Sequence, residues 1–187
     1  MTDGILASVV DEIKDGIIAA IRGTNEITAE AAKLVRDTVC NSLKAGGDVA
    51  STTVQVTTDA AKGVILGASE TGVSLVSAAR VGAKAIVEGV SDVGGDIEEA
   101  ATDTVKETIK ETSEIGGDVA GVAVASVEGV IAAASEVGGD VTLVTKKAIL
   151  AAVDAAESIS TETAEAVKNS LKAGISGAKE ILETPFK

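Results

Sequence analysis

The chain has 187 residues and a formal net charge of −13, from 16 basic and 29 acidic side chains. That balance argues against nucleic acid as a partner and against simple attraction to an anionic lipid surface. With no His, Trp or Tyr and a single Cys, His-based triads and transition-metal centres are excluded, no cofactor is expected, and a core must be built from small and β-branched aliphatics in place of aromatics.

The chain begins Met-Thr-Asp-Gly-Ile-Leu, without the basic segment and apolar run of a secretory signal, so a cytoplasmic location is expected. From Met1 onward it divides into seventeen elevens. Positions 1, 2, 5, 6, 9 and 10 of each eleven carry only three charged residues in the whole chain, Glu12, Glu98 and Glu111. Apolar pairs spaced in this way fit a helix of about 3.67 residues per turn, in which eleven residues close three turns and keep one stripe in line. A β-solenoid with 22-residue rungs would need alternation inside each rung, and paired apolar neighbours are the opposite.

Moving along the chain, Cys40 falls at the polar edge of the stripe, and Lys44-Ala45-Gly46-Gly47-Asp48 follows as a candidate turn near 45–48. Next, Val49 to Thr58 is the longest stretch without a charge, too short for the roughly 20 residues of a spanning helix. Three near-copies then recur at 22-residue spacing: Ser91-Asp92-Val93-Gly94-Gly95-Asp96-Ile97, Ser113-Glu114-Ile115-Gly116-Gly117-Asp118-Val119 and Ser135-Glu136-Val137-Gly138-Gly139-Asp140-Val141. Because the frame continues unchanged on both sides, these glycines are expected within continuous helix, where Gly94, Gly116 and Gly138 form hollows beside the ridges Val93, Ile115 and Val137 and let a neighbouring helix approach closely. Ile109 and Ile131, in position 10, are expected at helix-packing contacts. An unbroken helix would be about 280 Å long at 1.5 Å per residue. No domain boundary interrupts the frame, so residues 1–187 read as one helical region.

The 11-residue period over the whole chain resembles that of bacterial hendecad coiled-coil proteins, a grouping that includes soluble rods and forms thought to embed in membranes. The resemblance implies an all-α coiled-coil fold and no specific activity. Six columns of eleven cover about 200° of a helix, more than a two-stranded seam uses, so the face demands partners. The expected function is a non-enzymatic, self-assembling structural protein: a homo-oligomeric bundle of about four parallel helices forming a rod or filament. The alternative is a membrane- or lipid-granule-associated protein with the wide face in lipid, supported by a mean hydropathy of +0.34 and by the sparse charge between Val49 and Val81. No catalytic or metal-ligating residue is singled out.

Overall fold

The repeated string around Gly94, Gly116 and Gly138 is where the chain turns. Among the described residues of this computed structural model (3–21, 27–46 and 49–184), every regular element is an α-helix: α1 Asp3–Ala20, α2 Ala29–Ala45, α3 Val49–Thr71, α4 Leu75–Ser91, α5 Ile97–Glu114, α6 Val119–Glu136, α7 Val141–Ile159, α8 Thr161–Gly174 and the short α9 Ala178–Glu183. The all-α class is as expected; the long continuous helix is not.

Each central turn is the same local device. At the end of α5, Gly116 takes φ +72°, the left-handed region that costs glycine least. Its N–H donates to the Ser113 carbonyl and that of Gly117 to the Thr112 carbonyl, which satisfies two of the helix's orphan acceptors. Two residues later Asp118 accepts from the Gly121 N–H and starts α6. Gly94 with Asp96 and Gly138 with Asp140 repeat the arrangement, as does Gly72 with Ser74. The expected packing role of Gly94, Gly116 and Gly138 is therefore corrected: they are the residues after a helix end, and a methyl group on any of them would meet nothing within 4 Å. The frame survives because the turn belongs to the repeat. A helix of about 18 residues and a turn of about four make two elevens.

Elsewhere the breaks use other means. Ser160 ends α7 in an extended conformation and caps α8 through its own side chain, with no glycine involved. In the candidate turn near 45–48, α2 ends at Ala45 and α3 begins at Val49, with Gly46 in a right-handed conformation; residues 47 and 48 lie outside the described residues.

Short turns make successive helices antiparallel, so helices two apart run parallel. Gly63 lies against Val10 and Gly67 against Lys14, which shows α3 and α1 side by side in the same direction. The most extensive packing is between such pairs, α4 with α6, α1 with α3 and α5 with α7. The odd-numbered helices thus form one layer and the even-numbered ones a second, each helix also packing on its neighbours in sequence.

The wide apolar face is what fills the space between them. Along the 22-residue columns one finds Val56, Ala78, Ala100, Val122 and Val144, then Ala61, Ala83, Val105, Val127 and Ile149, all buried. Small residues set the distance between parallel helices. A methyl group at Gly89 would come within 2.8 Å of the Arg36 carbonyl oxygen, and one at Gly63 equally close to that of Val10. Both backbones touch where the side chain is missing.

Candidate functional site: the polar helix α5 and the groove beside it

In two columns the stack requires small residues. One reads Gly63, Ala85, Glu107, Gly129, Ala151, and the other Gly67, Gly89, Glu111, Ala133, Ala155. From α3 to α7 only α5 breaks them, with two glutamates. Its neighbouring columns are unusual as well: Thr104, Thr108 and Thr112 are buried where the other helices carry mainly Ala, Val, Ile or Gly. Thr108 and Thr112 donate to carbonyls one turn back, Thr104 and Thr108, at 2.5 and 2.7 Å, so those two hydroxyls are satisfied within the helix.

Glu111 faces α3, where Lys62 Nζ sits 3.3 Å from its Oε2; the glutamate side chain is 4% exposed and the lysine 40%. The ammonium thus reaches in from the surface to a carboxylate inside, and the Lys62 pKa is raised by that contact. Glu107, one turn earlier, is pushed up by burial, with Lys110 opposing and Glu111 adding to the rise. Asp103 and, across on α3, Asp59 are likewise raised, chiefly by desolvation. Each has one carboxylate oxygen out of reach of water and without a hydrogen-bond partner.

Lys62–Glu111 is one rung of a series in which a cation on one helix meets an acid two helices on. Lys14 lies 3.7 Å from Glu70, Arg36 2.6 Å from Asp92 and 3.4 Å from Glu88, Lys84 2.6 Å from Glu136, and Lys106 2.7 Å from Asp154; Arg80 pairs with Glu128. Most are surface pairs worth about 0–1 kcal/mol each. All of them join parallel helices two apart in the chain.

On the other side of α5 an open groove of about 960 Å³ runs over the α5–α7 seam to α8 and α9. Its apolar lining is Leu150, Ala151, Val153, Ile181 and Leu182, and its polar lining includes five acids, Asp96, Glu99, Asp103, Asp154 and Glu157, against three lysines, Lys106, Lys147 and Lys168. Each lysine already holds an acid: Asp154, Glu98 and Glu157 respectively. None of the ion pairs among the described residues involves Glu99 or Asp103.

The residues singled out from sequence are dispersed. Ile109 is fully buried, Ile131 half-buried against the core, and Val93 and Val137 half-buried at helix ends, whereas Ile115 is exposed beside its turn. Of the three column-breaking glutamates, Glu12 is exposed and accepts from Thr38, Glu98 pairs with Lys147, and Glu111 is the buried one. Cys40 is a free, half-buried thiol on α2. Sequence reasoning passed over Lys62, Glu107 and the groove. Glu107 was detectable by reading columns at 22 instead of 11, since its counterparts in α3, α4, α6 and α7 are Gly or Ala. Among the described residues no group of three or more potential ligands could hold a metal ion. Comparison with known proteins adds no relative: no family model, no curated protein and no solved structure matches this chain.

Proposed function

We propose that this chain is a non-enzymatic structural protein, a stack of short helices that presents interaction surfaces on a rigid frame. The observation that supports this reading is how the wide apolar face is used. Helices of the same chain cover it, in a unit repeated every 22 residues, and successive units contact only near neighbours as in other one-dimensional repeat architectures. Self-association into a homo-oligomeric rod or filament, expected because that face needed partners, would have to use the flanks or ends of the stack. The location proposed is cytoplasmic, and the charge of −13 speaks for protein partners and against nucleic acid.

Light scattering with small-angle X-ray scattering tests this. A monomer mass at micromolar concentration, with the dimensions of a two-layer stack, is the expected result; a rod near 280 Å long, or a tetramer mass, would restore the multi-chain bundle. A second reading, contact with lipid, is favoured by α6, whose 18 residues have a mean hydropathy of 1.5 and which is, among the described residues, the one helix long and apolar enough to cross a membrane. Half of that stretch is buried in the stack. Cell fractionation separates the two readings, since a lipid role requires a membrane or granule pool.

A further inference from the structure

The described helices of the odd-numbered layer differ in length. Its helices α3, α5 and α7 have 23, 18 and 19 residues, while α9, which packs on α7, has six. In the column of Leu150, Lys62, Lys84 and Lys106 each reach an acid two helices on and Glu128 meets Arg80 two helices back, whereas here a leucine lies in the groove with Ile181 and Leu182 of α9. The groove volume, about 960 Å³, is comparable to two turns of helix, a cylinder about 10 Å wide and 11 Å long on the order of 850 Å³.

Its chemistry specifies the occupant. The floor is aliphatic, and the wall carries Glu99 and Asp103 in excess of the lysines, which are engaged with other acids. Asp103 keeps one oxygen shielded from water without a hydrogen-bond donor, so a cation placed there would meet a carboxylate whose present surroundings leave it undercompensated. A second copy of the chain is a poor match, because each copy carries −13 and on the first helices the exposed acids Asp11, Glu12, Asp15, Glu30 and Asp37 outnumber the exposed Lys33 and Lys44. We propose that the groove over α5 and α7 docks a basic amphipathic helix of a partner protein, its apolar side on Leu150, Val153, Ile181 and Leu182 and a Lys or Arg against Asp103 and Glu99. This rests on the scaffold reading and names the kind of partner such a scaffold would take.

The test is calorimetric titration of the full chain with a leucine–lysine amphipathic helical peptide, using a leucine–glutamine peptide of the same pattern as control. A diffuse attraction of any cation to an acidic protein is separated by two double variants of equal charge change: Glu99→Gln with Asp103→Asn in the groove, and Glu162→Gln with Glu165→Gln on exposed positions of α8. The groove pair is expected to weaken binding by about tenfold and the α8 pair by much less, with Leu150→Ala also weakening it. Equal losses from both pairs, equal binding of the uncharged peptide, or no binding at all would overturn the proposal. A doubled mass of the free protein in light scattering that Leu150→Ala abolishes would assign the groove to a second copy and overturn it as well. Circular dichroism of each variant confirms that the stack is intact; if the groove pair unfolds it, chemical-shift mapping of the peptide on the unaltered chain decides, and shifts centred away from α5, α7 and α9 count against.

Discussion

Two glycines of this protein show how one residue type answers different physical demands. Gly116 is tolerated for its backbone and Gly129 for its missing side chain. At Gly116 the left-handed φ of +72° is strained for any L residue, but the space around it is empty. Alanine there should cost about 1–2 kcal/mol, the usual penalty of that conformation, and asparagine less. Gly129 is ordinary helix, where alanine is normally preferred, yet a methyl group would be driven onto the Arg80 carbonyl of α4. Relief requires the two backbones to separate and so loosens the most extensive helix pair in the fold. Gly129→Ala is therefore expected to lose more stability than Gly116→Ala, by denaturant titration of both variants. A Gly129→Ala protein more stable than its parent would mean that α4 and α6 are not in backbone contact. Gly117 is a third case: a methyl group there presses on the Leu75 and Thr112 side chains, which are able to shift, and an intermediate effect is expected.

At the scale of elements, α5 is the helix whose composition fits the stack least, and its titration should be visible. Glu107 and Asp103 on α5, Asp59 on α3 and Glu88 on α4 all have carboxyls raised above their ordinary values, 4.5 for Glu and 3.8 for Asp, mainly by burial. The facing groups are Lys62, Lys110, Glu111 and Glu114 for Glu107, Glu99 and Lys106 for Asp103, Lys62 for Asp59, and Lys84, Arg36 and Glu136 for Glu88. A raised acid binds its proton more readily folded than unfolded, so stability grows as pH falls from neutral through the folded values and stops growing below the ordinary ones. Asp92 and Glu136, lowered by Arg36 and Lys84, act the other way and lose their contribution only as pH falls below ordinary values. The melting temperature should therefore rise as pH falls from neutral toward the ordinary carboxyl values and fall again below them. Glu107→Ala should flatten the rise while leaving a folded stack, because its column holds Gly or Ala in α3, α4, α6 and α7. A melting temperature that declines steadily from pH 7 downward would show that these carboxyls are hydrated.

For the whole molecule, the 11-residue frame carried part of the answer. Helical class was legible from the spacing of apolar pairs, and most buried side chains, from Val56 through Ala156, come from the six apolar columns. The turns were not legible, because eleven residues of continuous helix and half of a 22-residue helix–turn unit leave the same periodicity. The deciding detail was local: Gly-Gly-Asp places a left-handed residue, a linker and an N-cap in succession, and it recurs at 22-residue spacing in the three central turns. Deletions separate the two architectures in solution. Removing residues 119–140 joins Asp118 to Val141 and excises one helix and one turn, so α7 takes the seat of α6 with matching columns. Its Ala151 stands where Gly129 touched the Arg80 carbonyl, so some stability is lost, but a cooperative melt with helical circular dichroism should remain. Removing only residues 119–129 keeps the frame of eleven intact yet leaves seven residues of α6, too few to span α4, and the melt should become broad and shift far downward. In a continuous rod both deletions preserve the stripe, and the shorter one is the milder. Thermal melts of the two proteins at equal concentration thus have opposite expected orders, and a less stable 22-residue deletion would return the chain to a long helix associated with its copies.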